Sequence, residues 1–143
     1  MSRSRTKARH CAVQALYQWQ MTGNDEAQIF AQFLAERSMA KVNVGYFREL
    51  LYGVVACVVD IDKCLQQYLD RGIDEVDDVE RAVLRLGGYE LIYRLEVPYR
   101  VAINEALEAA KVFGSEQGYR FVNGVLDKVA HEVRSVEVRK AKA

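Results

Sequence analysis

Arg3, Arg5, Lys7 and Arg9 alternate with small or polar residues at the start of this chain, and the first acid is Asp25. Closely spaced cations with no neighbouring carboxylate suit one kind of chemistry, the neutralisation of phosphates on a polyanion. Helix stability does not account for them, because cations at a helix N-terminus oppose the macrodipole. Three readings are open at this point: a solvated tail, a nucleic-acid contact and an anionic membrane surface. The helical pattern that follows has no charged face along its length, which disfavours the membrane.

The whole chain is neutral, with Lys+Arg 20 and Asp+Glu 20, but the charge is segregated. Residues 1–24 hold four basic side chains and no acid, and residues 134–143 hold four basic against one acidic. Residues 25–133 carry 12 basic and 19 acidic groups. Positive ends on a negative body suggest a polyanion at the ends and a basic partner for the body. The acids concentrate in "DRGIDEVDDVE", which holds Asp70, Asp74, Glu75, Asp77, Asp78 and Glu80. That stretch reads as solvated capping turns, as a docking patch for a basic protein, or as a metal site. The last is the weakest, because the spacing matches no EF-hand loop.

Catalytic chemistry finds little support. His10 and His131 are the only histidines, and neither has a companion motif. There is no GxSxG, P-loop or HExxH. The Gly pair of "LGGYE" lies within a helical pattern, where close helix packing is the simpler reading. Cys11, Cys57 and Cys64 form no CxxC pair and read as core residues of a reduced, cytoplasmic protein. No cofactor or metal is expected.

The elements that must position these residues are all helical. One proline and nine glycines punctuate 143 residues, and no segment alternates apolar and polar for long. Six helices are expected. The first spans about Arg5–Met21 and is ended by Gly23. The second is capped by Asn24 or Asp25. The third runs from after Asn43 to about Asp70, long enough to expect a break near Asp60. The fourth is capped by Asp77 or Asp78. The fifth follows Pro98 and ends at Gly114, and the sixth is capped by Ser115. On a wheel of about 100° per residue, Ala8, Ala12, Ala15, Leu16 and Trp19 form the core face of the first helix. Tyr17 and Met21 point almost oppositely, beside Lys7 and Gln14, as stray surface residues or as contacts for a partner. The expected architecture is one domain over 1–143, with a basic segment at about 1–10 and a frayed tail at about 135–143.

Four stretches, "KARHCAVQALYQWQ", "VERAVLRLGGYEL", "VPYRVAINEALEAAKVFGSE" and "FVNGVLDKVA", resemble the bacterial transcription antitermination factor NusB family. The resemblance spans nearly the whole chain, and "VAINEA" with "FVNGVLDK" makes it specific. It implies an all-α fold of two packed helix bundles and a protein that is not an enzyme. It also implies binding to the single-stranded boxA element of nascent ribosomal RNA, as a heterodimer with NusE, a small ribosomal subunit protein. That complex joins RNA polymerase with other Nus factors and suppresses premature termination. By this likeness Arg3, Arg5, Lys7 and Arg9 contact RNA, joined by Gln117 and Phe121 at the opening of the last helix. Phe121 sits at the edge of an apolar face, where stacking on a base and a core role are both open. The NusE surface maps to Tyr17 and Glu80, with Met21 and Asp74 beside them. Two departures stand out: Ser4 and Thr6 interrupt a run where contiguous arginines are common, and His10 replaces a usual acid. The four cations flank the core face, so their loss is expected to leave folding intact. The alternative is a helical interaction module without RNA contact. NusB-like domains also occur fused to RNA methyltransferases, but 143 residues leave no room for a catalytic domain.

Overall fold

The computed structural model describes residues 2–114 and 116–142, with the side chain of residue 116 outside the description. Among them are seven α-helices, one 3-10 turn and no strand. In order they are α1 (Arg3–Thr22), α2 (Glu26–Glu36), α3 (Val44–Gln66), the 3-10 turn (Ile73–Glu75), α4 (Asp78–Tyr93), α5 (Tyr99–Phe113), α6 (Glu116–Val133) and α7 (Ser135–Lys142).

Local chemistry sets most of the boundaries. The Ser2 hydroxyl accepts from the Arg5 N–H, so α1 starts two residues before the expected Arg5. Gly23 takes a left-handed conformation, φ 71°, and returns its N–H to Trp19 O, which stops the helix. Asp25 caps α2 through the Ala27 N–H. Asp77 caps α4 through the Val79 and Glu80 N–H groups. The expected cap at Ser115 lies outside the described residues.

Two expectations are corrected. The third helix has no break near Asp60; α3 runs uninterrupted for 23 residues and stops at Gln66, short of Asp70. Its length is supported along one face, where Phe47, Leu50, Leu51, Val54, Ile61 and Leu65 are fully buried. Each such side chain contributes about 1.5–3 kcal/mol, which outweighs the weak propensity of its β-branched stretch. The tail is not frayed, since residues 135–142 form α7. Val138 enters the core at 3% exposure. Glu137 accepts from the Tyr99 N–H at 2.8 Å and pairs with Arg134 at 2.7 Å. Arg134 itself is buried and donates to the carbonyls of Glu90, Leu91 and Arg94 at the end of α4. One ion pair thus ties the end of α4 to the start of α5.

The architecture is two packed bundles. α1, α2 and α3 pack together, α4, α5 and α6 pack together, and α7 lies on α6. α4 also packs on α1 and α3 and so belongs to the interior of both. That explains why every residue from Ala82 to Leu91 is buried, unlike the one-sided burial of a surface helix. The Gly pair serves close packing. A Cβ on Gly87 would stand 2.7 Å from Leu126 Cδ1, and one on Gly88 would stand 3.3 Å from Ile61 Cγ2.

Candidate nucleic-acid interface

The cations of α1 divide into two sets. At about 100° per residue, Arg3 and Lys7 share a stripe with His10, Gln14, Tyr17 and Met21, while Arg5 and Arg9 turn toward the core side. Arg3 is exposed and Lys7 half-buried. The Arg5 guanidinium lies 4.2 Å from the centre of the Tyr46 ring. Arg9 is 2% exposed, so its side chain lies inside the fold and not on the surface where an RNA contact was expected. Its guanidinium donates to both oxygens of Glu90, at 2.8 and 2.9 Å, and to Glu105 at 2.7 Å. Burial acts against its charge, but the bond to Glu90 and the charges of Glu90 and Glu105 outweigh that and push its pKa up. Thr6 Oγ1 donates to the same Glu105 oxygen at 2.6 Å, and the Tyr46 hydroxyl donates to Glu90. Burial, then the charge of Glu90, raises the Tyr46 pKa, so the phenol stays protonated. The signal that could have found this cluster is the wheel itself, which puts Arg9 about 20° from Leu16. Two lone acids in apolar runs, Glu90 and Glu105, are its counterparts.

Gln117 is exposed in the first turn of α6. It lines a cleft of about 640 Å³ with Lys111, Gly114, Tyr119 and Arg120. Lys111 Nζ stands 4.7 Å from the Tyr119 ring centre. Phe121 is half-buried against the core, and the Arg71 guanidinium lies 5.0 Å from its ring centre. Lys111, Tyr119 and Arg120 carry no sequence signal because the cleft is assembled across a helix break, and Arg71 carries none because it reaches Phe121 from the distant α3–α4 connection. α1 runs alongside α5: Thr6 meets Glu105, and His10 meets Phe113 edge-to-face at 5.6 Å. Arg5 in the first basic turn lies by the start of α5, beside Pro98 and Val101, and the cleft follows the end of α5, which spans about 22 Å for its 15 residues.

Tyr17 and Met21 are 40% and 53% exposed on the C-terminal half of the same α1 stripe. Asp74 is exposed in the 3-10 turn and lines a second cleft with Trp19, Gln20, Gly23, Arg81 and Arg85. The Gln20 amide donates to Asp78 O at 2.9 Å, which holds the acidic stretch against the end of α1. Glu80 faces elsewhere. It is half-buried against the start of α6, where a Cβ on Gly118 would come within 2.6 Å of its carboxylate. Burial, then the charge of Asp77, raises its pKa. Asp74 therefore lies beside Trp19, Gln20 and Gly23 at the end of α1 that also bears Tyr17 and Met21, and Glu80 lies against Gly118. Three of the other acids act locally: Asp77 caps α4, Asp78 pairs with Arg81 and Asp70 with Arg71. Among the described residues no three His, Cys, Asp or Glu side chains come together to hold a metal.

The sequence matches the NusB family over residues 6–131. The chain belongs to the NusB family. It is 56% identical over 133 residues to the transcription antitermination protein NusB of Stenotrophomonas maltophilia, covering 93% of this chain and 84% of that protein. The NusB of Proteus mirabilis is 52% identical over 131 residues, covering 92% and 96%. Among solved structures, T. maritima NusB is similar with a TM-score of 0.82 at 31% identity, covering 97% of this chain and 99% of that one. A chain from the crystal structure of antitermination factors NusB and NusE in complex with double-stranded RNA has a TM-score of 0.80 at 29% identity, covering 90% and 97%. The NusB fold is therefore shared along nearly the whole length, with α1 from Thr6 onward and the α5–α6 turn inside the matched region.

Proposed function

We propose that this chain is a transcription antitermination factor that binds boxA RNA and pairs with NusE. In this reading it acts in the cytoplasm, within an RNA polymerase complex that includes other Nus factors, and has no enzymatic activity. The observation that carries it is the outward stripe of α1, with Arg3 and Lys7 at one end and Tyr17 and Met21 at the other. Phosphates are neutralised at the first end, and an apolar protein contact forms at the second. The Lys111, Gln117, Tyr119 and Arg120 cleft extends the RNA path beyond α5, with donors and an aromatic face for an unpaired base. Arg5, over Tyr46, lines the entrance between α1 and Pro98. Asp74 supplies negative charge to a basic NusE. The family's names and the complex with NusE and double-stranded RNA support this reading.

The test is fluorescence anisotropy with labelled boxA RNA, with and without NusE. Single-stranded boxA, a scrambled strand and a duplex of equal length are compared. Preference for boxA that strengthens with NusE is expected. Equal affinity for all three RNAs, unchanged by NusE, refutes the proposal and leaves a helical interaction module.

A further inference from the structure

The first two turns of α1 present a physical difficulty. Cations repel one another there and oppose the helix dipole, and the first turn is held only by the Ser2 cap and by a backbone bond from the Asn43 N–H to Ser4 O. Such a segment is disposed to fray. Yet α1 is helical from Arg3, and its second turn enters a buried network contributed by three other helices. Glu90 comes from α4, Glu105 from α5 and Tyr46 from α3. Arg9 receives both carboxylates, Thr6 shares the Glu105 oxygen, and Arg5 covers the Tyr46 ring. Arg9, Glu90 and Glu105 are 2%, 1% and 6% exposed. A buried ion cluster is weak evidence for stability, since apolar side chains of similar volume often do as well. What it supplies is direction: a guanidinium fork donates to its carboxylates in one geometry.

We propose that Arg9, Glu90, Glu105 and Tyr46 are positioning residues for RNA binding, which hold the turns bearing Arg3, Arg5 and Lys7 in their binding orientation. This rests on the RNA-binding reading above. None of the four needs to touch RNA; each acts through Thr6, Arg5 or the backbone of α1. The network also explains why one cation of the basic segment faces inward. Arg9 forfeits a phosphate contact and anchors the other three.

The test uses the full chain and three conservative variants, Arg9→Lys, Glu105→Gln and Tyr46→Phe. Lysine keeps the charge of Arg9 but loses the fork. Glu105→Gln removes the acceptor charge shared with Thr6, and Tyr46→Phe keeps the ring under Arg5 but loses the bond to Glu90. Three quantities are measured for each: amide exchange at residues 4–10, affinity for boxA RNA, and affinity for NusE, which engages the other end of α1. Apparent affinity falls with the fraction of the competent state, so ordering that drops to roughly 10–30% predicts a loss of about three- to tenfold. Faster exchange at residues 4–10 with that loss, and an unchanged NusE affinity, is the expected pattern. A merely structural role lowers RNA and NusE affinity together, and that result overturns the proposal. Unaltered exchange and RNA affinity in all three folded variants overturns it as well. If the unmutated chain fails to bind RNA, the parent reading falls and takes this one with it; if it binds and the variants match it, only the positioning role falls.

Discussion

Two arginines four residues apart on one helix do different work. Arg5 remains partly open, whereas Arg9 is closed inside a cage of carboxylates. Arg9→Met leaves Glu90 and Glu105 without their cation and is expected to cost about 3–5 kcal/mol in chemical denaturation. Arg3→Ser with Lys7→Ser is expected to stay within about 0.5 kcal/mol of the parent while weakening RNA binding. The four cations are thus predicted to differ in folding, the outer pair being dispensable and Arg9 not. At the other end of the stripe, Tyr17→Asp is expected to weaken NusE binding by about 2 kcal/mol or more if the ring is an anchor, with an unchanged circular dichroism spectrum. Calorimetric titration decides it, and undiminished affinity moves the interface off α1.

Among the elements, α7 shows how a few residues dock a short helix. Eight residues are too few to be helical alone. Arg134 and Glu137 connect α7 to the end of α4 and the start of α5. Burial acts to raise the Glu137 pKa, but the Tyr99 N–H and the Arg134 guanidinium outweigh it and hold the carboxyl below its ordinary 4.5. A depressed folded pKa means that the contribution is present above 4.5 and is lost as pH falls through the lower, folded value. Amide protection across residues 135–142 is therefore expected to fall below that pH, and Glu137→Gln is expected to weaken it at neutral pH and remove the step. Protection that is insensitive to pH in the parent would show that Val138 alone holds the helix.

For the whole molecule, segregated charge sets the terms of association. The neutral total predicts no bulk attraction to RNA, so affinity must come from local clusters. Counterion release then makes log K fall with log salt by about 0.7 per phosphate neutralised on a single strand. Removing Arg3 and Lys7 together is expected to shallow that slope by about 1.4, if each meets one phosphate. A slope unchanged in the double variant would place the phosphates elsewhere, with the α5–α6 cleft as the next position to mutate.

Much was legible in the residues themselves. Helix periodicity, the caps at Asp25 and Asp77 and the stop at Gly23 are local effects, readable over a few positions. The exposed placement of Tyr17 and Met21 follows from the same wheel that buries Leu16. What the sequence by itself determined was therefore the helical class, the family and the outward stripe of α1, because each depends on spacing within one segment. Tertiary structure decided the rest. The straight course of α3 past Asp60 depends on a partner for its whole apolar face, and the order of α7 depends on the α4–α5 turn, 38 and 43 positions away, being placed beside it. The inward turn of Arg9 depends on carboxylates 81 and 96 positions away, and the cleft at Gln117 joins side chains from both sides of a helix break. A charge is a binding group or an anchor according to what folding places beside it, and no local pattern records that neighbour.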